Sequence, residues 1–364
     1  MPSNSTQSNT NKLLGLEVIR FISALAVLIW HYQHFYYVAD KPTNFIRDQQ
    51  PFYSFLNIFY NYGYWGVEIF WCISGYIFFW KYREAISNKI VKGKRFFILR
   101  ISRLYPLHLI TLLLVMLLQQ AYVQLNNYFF VYQNNNSSHF VLQLFMASNW
   151  FHHLEFSFNG PIWSISIEVL VYFIFFITLR FISKSALVNI FMIALWAVSK
   201  KANITHPVFD CLAFFYVGGL AAIVKQSIEN TKQRFNLKAI AWCVVCFMPL
   251  PIWAFKLYEA EYFNYLFLIS YTPIILFCIS ENISVNAKTK KVIEAMGNMT
   301  YSSYLIHFPI QLTIAIYFSI IKTAIPQYDS TLFVVFITST LIASYFIYRY
   351  FEVPAQDIIR RNLL

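Results

Sequence analysis

The sequence predicts an all-α, polytopic integral membrane protein with about ten transmembrane helices and both termini on the cytoplasmic side. Three observations predict it. Of the 364 residues, 58% are hydrophobic and 12% charged, about half the charged share of an ordinary soluble domain. The aromatic share is 20%, with 38 Phe, 26 Tyr and 9 Trp, as suits a protein with aromatic belts at the membrane interfaces. The third is a series of apolar runs, most of them of the roughly 17–25 residues that crossing hydrocarbon requires, with basic residues placed between them.

The runs cover about 13–37, 55–80, 97–119, 162–181, 186–200, 208–225, 239–256, 262–280, 301–321 and 331–350. The fifth is short, and the second is long enough to begin with an interfacial segment before Gly63. Orientation follows from Lys and Arg. Between the second and third runs lie Lys81, Arg83, Lys89, Lys92, Lys94, Arg95, Arg100 and Arg103, and segments 225–238, 288–291 and the tail with Arg360 and Arg361 are also basic. The opposite side holds Lys41, Arg47, Lys200, Lys201, Lys256 and Lys322, so 22 of the 28 basic residues fall on or near the inside. The net charge of +12 would suggest nucleic acid in a soluble protein. Here the positive-inside bias accounts for it, and no nucleic-acid partner is expected.

The chain divides into a polar N-terminal segment 1–12, a membrane domain 13–357 and a cytoplasmic tail 358–364. The first eleven residues carry no positive charge and lead to no short apolar region with a cleavage site, so the first span is expected to stay as an anchor. Cys72, Cys211, Cys243, Cys246 and Cys278 all lie in apolar runs, and the one CxxC has no companion at zinc spacing. Neither a disulfide framework nor a metal site is expected.

The first span, LEVIRFISALAVLIWHY, carries Glu17, Arg20 and His31. Ionisable groups within a span cost roughly 2.5–3.5 kcal/mol each and call for a partner or a task. Eleven residues from Arg20 to His31 advance about 1100°, near three full turns, so both share one face roughly 16 Å apart. Glu17 lies one turn before Arg20, close enough to neutralise it. The second span holds Glu68 among Gly63, Gly66 and Gly75; this carboxylate is placed either to pair with Arg20 or to orient His31. In the third, Arg100 and Arg103 stand one turn apart at the cytoplasmic end. That spacing suits a fork for phosphate oxygens and equally an anchor to anionic lipid.

The outer segment 119–161 is nearly uncharged and rich in amides and aromatics. It reads either as a solvated loop with a re-entrant or interfacial helix at 139–151 or as a sugar-binding lid. The fourth span opens NGPIWSISIEVLVYF, where Glu168 follows Trp163, Ser164 and Ser166 and precedes Tyr172. A buried Glu paired with a His is an arrangement general acid–base catalysis uses, and packing between helices is the alternative. The ninth opens MGNMTYSSYLIHFPI, with His307 and Pro309. The same ionisable residues also suit a proton-coupled transporter, whose marks, broken helices and inverted repeats, are not evident.

Together these residues resemble the acyltransferase-3 family of integral-membrane O-acyltransferases. The matches are R-x10-H (Arg20, His31), G-V-[DE]-x-F-x-x-x-S-G (Gly66–Gly75), R-x-x-R (Arg100, Arg103), W-S-x-S-x-E (Trp163–Glu168), S-Y-x-x-Y-L-I-H-x-P with Thr300 for the Ser, and E-x-P (Glu352–Pro354). They occur in order and span roughly residues 13–357. Glu17 and Glu68 stand where the family usually has Asp, Val18 where it has Gly, and the appended SGNH hydrolase-like domain of some members is absent from this sequence.

The resemblance implies an acyl donor on the cytoplasmic side, acetyl-CoA above all, with no metal. It implies a hydroxyl acceptor on a surface glycan or lipid-linked sugar, such as lipopolysaccharide or another polysaccharide, and a place in the bacterial cytoplasmic (inner) membrane among its lipids. Transfer through a periplasmic acyl-acceptor partner protein is the other route. His31 is expected as general base, or as the carrier of an acyl-histidine, with Glu168 or Glu68 orienting it and Arg20 holding donor phosphate or compensating carboxylates. Arg100 and Arg103 are expected to bind the donor, and Trp163, Ser166, Tyr172 and His307 the substrate.

Overall fold

The computed structural model describes residues 13–364 apart from 152–154, 230, 232, 258–260 and 282. The predicted N-terminal segment 1–12 lies outside the described residues. The chain is an all-α polytopic membrane protein; its only strands among the described residues are Tyr37–Val38 and Lys41–Pro42, paired antiparallel.

The helices are α1 Leu14–His31, α2 Tyr53–Tyr62, α3 Gly66–Ser87, α4 Gly93–Asn126, α5 Ser137–Leu144, α6 Ile162–Ile177, α7 Ala186–Lys201 and α8 Pro207–Ile228. They continue with α9 Gln233–Phe247, α10 Pro249–Ala254, α11 Glu261–Ile279, α12 Ala287–Asn298, α13 Thr300–Ile320, α14 Ser330–Ile347 and α15 Val353–Leu363. Among the described residues, seven helical segments are long and apolar enough to cross a membrane. The 22 residues of α3 are interrupted by Glu68, Lys81, Arg83 and Glu84, and α7 has only 16 residues.

Several boundaries differ from the periodicity reading. The run 55–80 is two helices, α2 and α3, joined by a 3-10 turn at Gly63–Trp65. On α2, Phe55 is 85% and Ile58 67% exposed, as in a helix lying in the interface plane. The run 239–256 breaks at Met248, because Pro249 and Pro251 start a new helix rather than extend α9. The basic linker shrinks to residues 88–92, since α3 and α4 continue past the apolar runs. There long cationic side chains keep their charged heads in water. The outer helix predicted at 139–151 is the shorter α5. The tail is not separate at residue 358: α15 runs through it without a break.

The core is an aromatic stack between α3, α6 and α8. Phe78 stacks on Tyr172 with ring centroids 4.3 Å apart, Phe175 and Phe215 meet Phe78 edge to face, and Phe79 meets Phe175 edge to face. What lets α3 and α8 approach is a reciprocal pair of glycines. A Cβ on Gly75 would collide with the Phe215 carbonyl, and one on Gly218 with the Cys72 carbonyl. Small residues at such crossings let backbones touch, which in lipid supplies much of the packing energy.

At the basic end, Glu281 after α11 binds Lys225 of α8 and bonds Arg234 of α9 at 2.8 Å. Partial burial would raise the Glu281 pKa, but these cations and Lys238 hold it below the usual carboxylate range.

Candidate active site

The start of α1, the end of α3, the start of α4, the end of α12 and the tail helix α15 meet at the basic end. Together they border a vestibule open to solvent, with ≈ 1490 Å³ of empty space including that open part. Five cations line it, Arg20, Lys81, Arg100, Arg103 and Arg360, against the carboxylates Glu17 and Glu352. An inner chamber of ≈ 890 Å³ lies beyond, shares Arg20, Ile77, Arg100 and Arg103 with the vestibule, and reaches Glu168, Tyr172, Ser164 and Tyr304.

Two arginines of this shared wall, Arg20 and Arg100, are held by identifiable partners. Arg20 donates to Glu17 at 3.0 Å and to the Thr300 hydroxyl at 3.2 Å. The ion pair expected one turn apart on α1 therefore forms, and Thr300 supplies the hydroxyl that the family motif draws from Ser. Gly297 makes room for Glu17, whose carboxylate lies where a Cβ would stand. Arg100 donates to Tyr82 at 2.8 Å and lies 4.8 Å from the Phe78 ring centroid, while its buried Nε has no partner among the described residues. Glu168 accepts from the Tyr172 hydroxyl at 2.7 Å.

At the far end of the chamber, Ser164 and Tyr304 share a hydrogen bond of 2.7 Å. Tyr304 leads to the imidazoles: its ring centroid is 6.0 Å from His307, which is 4.8 Å from His31, which is 4.9 Å from His34. All three rings are buried. Their tautomers follow from their partners. His31 Nδ1 is 2.8 Å from the Val27 carbonyl and His307 Nδ1 is 3.3 Å from the Ser303 carbonyl. A carbonyl only accepts, so both Nδ1 atoms carry the proton and a neutral ring leaves its lone pair on Nε2. Gln311 donates to the His31 carbonyl at 2.8 Å, which turns its oxygen toward His34 Nδ1 at 3.1 Å. His34 Nδ1 is then also the donor. The Nε2 of His307 is buried without a hydrogen-bond partner among the described residues.

The outer segment covers this cluster. Tyr132 packs 5.7 Å from His34 and 4.9 Å from Phe308. Pro309 has no N–H for the Leu305 carbonyl one turn earlier. Asn159 of the outer segment donates to that carbonyl instead, at 3.0 Å. The helical turn that carries His307 is thus fastened by the outer segment.

Of the residues singled out in the sequence, Arg20, Arg100, Arg103, Glu168 and Tyr172 line the inner chamber together, and His31 and His307 form the adjoining imidazole pair. The carboxylate expected to orient His31 is replaced by the Val27 carbonyl. Glu168 is engaged by Tyr172, and a buried oxygen of Glu68 has no hydrogen-bond partner among the described residues. Arg20, a predicted partner for Glu68, instead holds Glu17. Trp163 packs edge to face on Trp71 at 5.8 Å. The Ser166 hydroxyl accepts from the Asn149 amide at 3.2 Å, which ties it to the outer segment. Sequence reasoning missed His34, Gln311, Tyr304 and Arg360. The signal for His34 was its place one turn beyond His31, and Tyr304 lies inside a quoted motif.

Residues 13–349 match the sequence profile of the acyltransferase-3 family, described as an acyltransferase domain, over nearly the whole chain. Comparison with curated proteins and with solved structures found no match.

Proposed function

Because the chain belongs to the acyltransferase-3 family and is a membrane acyltransferase, we propose that it moves an acyl group, acetyl being the family's commonest, from acyl-CoA to a hydroxyl of a cell-surface glycan such as lipopolysaccharide. On this reading it works in the bacterial inner membrane. One observation carries it: the chamber walled at one end by three arginines reaches Tyr304, and ring contacts continue from Tyr304 through His307 to His31.

The donor enters from the basic end, and its diphosphate settles on Arg20, Arg100 and Arg103, which suit phosphate oxygens by charge and fork geometry. Glu168 and Tyr172 line the way of the thioester arm. The acceptor hydroxyl comes from the opposite side, under the amide-rich outer segment acting as a lid. His31 Nε2 takes the hydroxyl proton as the oxygen attacks the thioester carbonyl; the C–S bond breaks, and the imidazolium returns the proton to the departing thiolate. The Val27 carbonyl performs the orienting task that a carboxylate has in a triad. The unpartnered Nε2 of His307 suits a second hydroxyl of the acceptor, as a buried lone pair calls for a donor.

The test uses membranes carrying the wild type or His31→Ala, supplied with acetyl-labelled acetyl-CoA and the host's extracted surface glycans. We expect label in the glycan with wild type and background with the variant, both proteins being present at equal levels. Transfer by His31→Ala would remove the base mechanism. A folded wild type that labels no glycan would send the search to another donor or acceptor.

A further inference from the structure

The tail helix α15 begins at Val353, beyond the segment that matches the family profile. It is amphipathic, with Val353, Gln356, Ile359 and Arg360 half-buried and Asp357, Ile358 and Arg361 exposed. It is placed by a chain of polar contacts rather than by apolar packing alone. Ser302 of α13 donates to Glu352 at 2.7 Å, and Gln356 donates to the other oxygen of the same carboxylate at 3.2 Å. Arg360 then donates to the Gln356 oxygen at 2.8 Å and, through Nε, to the Ser102 hydroxyl at 3.1 Å. Ser102 directly precedes Arg103 on α4. These contacts hold the Arg360 guanidinium at the vestibule wall.

The position of Arg360 separates it from the other arginines. Arg20, Arg100 and Arg103 line both the vestibule and the inner chamber, whereas Lys81 and Arg360 line the vestibule alone. A donor that lies with its thioester toward the chamber and its diphosphate at the shared wall leaves its ribose phosphate farther out. Five cations against two carboxylates leave three positive charges in excess around that space. A phosphate there meets a preplaced guanidinium with N–H donors to spare.

We infer that α15 is part of the donor site and that Arg360 binds the ribose phosphate of acyl-CoA. The inference rests on the acyl-CoA reading above and names a recognition residue within it. An anionic lipid headgroup offers the same phosphate chemistry from the membrane side, so the test has to separate the two sources.

The experiment compares acetyl-CoA with acetyl-dephospho-CoA, which lacks only the ribose phosphate, as donors for wild type, Arg360→Gln, Arg360→Lys and Arg361→Gln in membranes. We expect wild type and Arg361→Gln to favour acetyl-CoA by about tenfold in KM, a typical worth for one charge-assisted contact. Arg360→Gln should lose that preference by raising KM for acetyl-CoA alone, with kcat unchanged and KM for the dephospho donor at the wild-type value. Arg360→Lys should restore part of the preference. Equal rises for both donors would make Arg360 a structural brace or a lipid contact and overturn the inference. So would a wild-type preference that survives in Arg360→Gln. If the wild type uses neither donor, the acyl-CoA reading itself falls, and this inference with it.

Discussion

The proton inventory of three imidazoles decides what the centre of the bundle can do. His31 and His307 both donate through Nδ1 to backbone carbonyls and His34 to Gln311, so three Nε2 lone pairs gather in one buried cluster. A histidine held by a carbonyl one turn behind it on its own helix needs no distant partner to fix its tautomer. Gln311 is the exception in reach: it spans from the last carbonyl of α1 to the ring of His34. Gln311→Ala strands both groups, each costing about 1–3 kcal/mol when buried without a partner, and frees the turn that follows His31. We expect kcat to fall by about tenfold or more, equivalent to about 1.4 kcal/mol of barrier, while KM for acetyl-CoA stays put because the donor arginines lie at the other end of the chamber. Steady-state kinetics in membranes checks this, and a change confined to KM would place Gln311 on the donor path instead.

At the scale of helices, the site depends on how closely α3 and α8 can lie. Phe78 and Tyr172 form one wall of the chamber, and their packing against Phe215, edge to face from Phe78 and tilted from Tyr172, is available only while the Gly75 and Gly218 backbones stay in contact distance of the facing helix. Gly75→Val is expected to destabilise the protein by about 1–3 kcal/mol or more through overpacking, because the atom in the way is backbone and cannot turn aside. Gly93→Ala is the control. Its Cβ would meet only the Phe176 ring edge, at 3.3 Å, and the change should fall within about 0.5 kcal/mol of wild type. Thermal unfolding of the two purified variants in detergent compares them; equal midpoints would show that the α3–α8 contact is looser than its geometry implies. The break between α2 and α3 belongs to this scale as well. Gly63 lies against the Ala26 carbonyl of α1 and Gly66 against that of Ser23, so the turn between the two helices nestles along the first span.

For the whole molecule, the vestibule collects the start of α1, the end of α3, the start of α4 and Gln356 and Arg360 of α15 at one end, so the first span and the tail helix share one side of the membrane, expected to be the inside. Substituted-cysteine labelling tests the orientation in a background with Cys243 and Cys246, the two exposed cysteines, changed to Ser. Asn362→Cys should react with a membrane-impermeant thiol reagent only in inverted vesicles, and Ser138→Cys only in intact cells or spheroplasts. The reverse pattern would put the cationic vestibule on the outside and exclude a cytoplasmic donor.

Much of this was legible in the sequence because it depends on short-range rules. Hydrophobic run length and the bias of Lys and Arg identify the all-α membrane class, and helical periodicity alone pairs Glu17 with Arg20 and sets His31 on their face. The motifs carry the family. Helix ends were less legible, since in α3 and α4 cationic side chains let helix continue past the hydrocarbon, and prolines cut α9 from α10. Contacts across the bundle were decided by tertiary structure alone. Glu68 and Glu168 had the right chemistry to orient His31, yet the fold brings His307 and Gln311 there, residues about 280 positions away in the chain, and leaves the orienting bond to a backbone carbonyl. Arg360 reads as a tail charge in the sequence and becomes part of the vestibule because the Ser302–Glu352–Gln356 contacts fold α15 against α4. Side chains far apart in sequence meet only where packing puts them, and no local pattern encodes that.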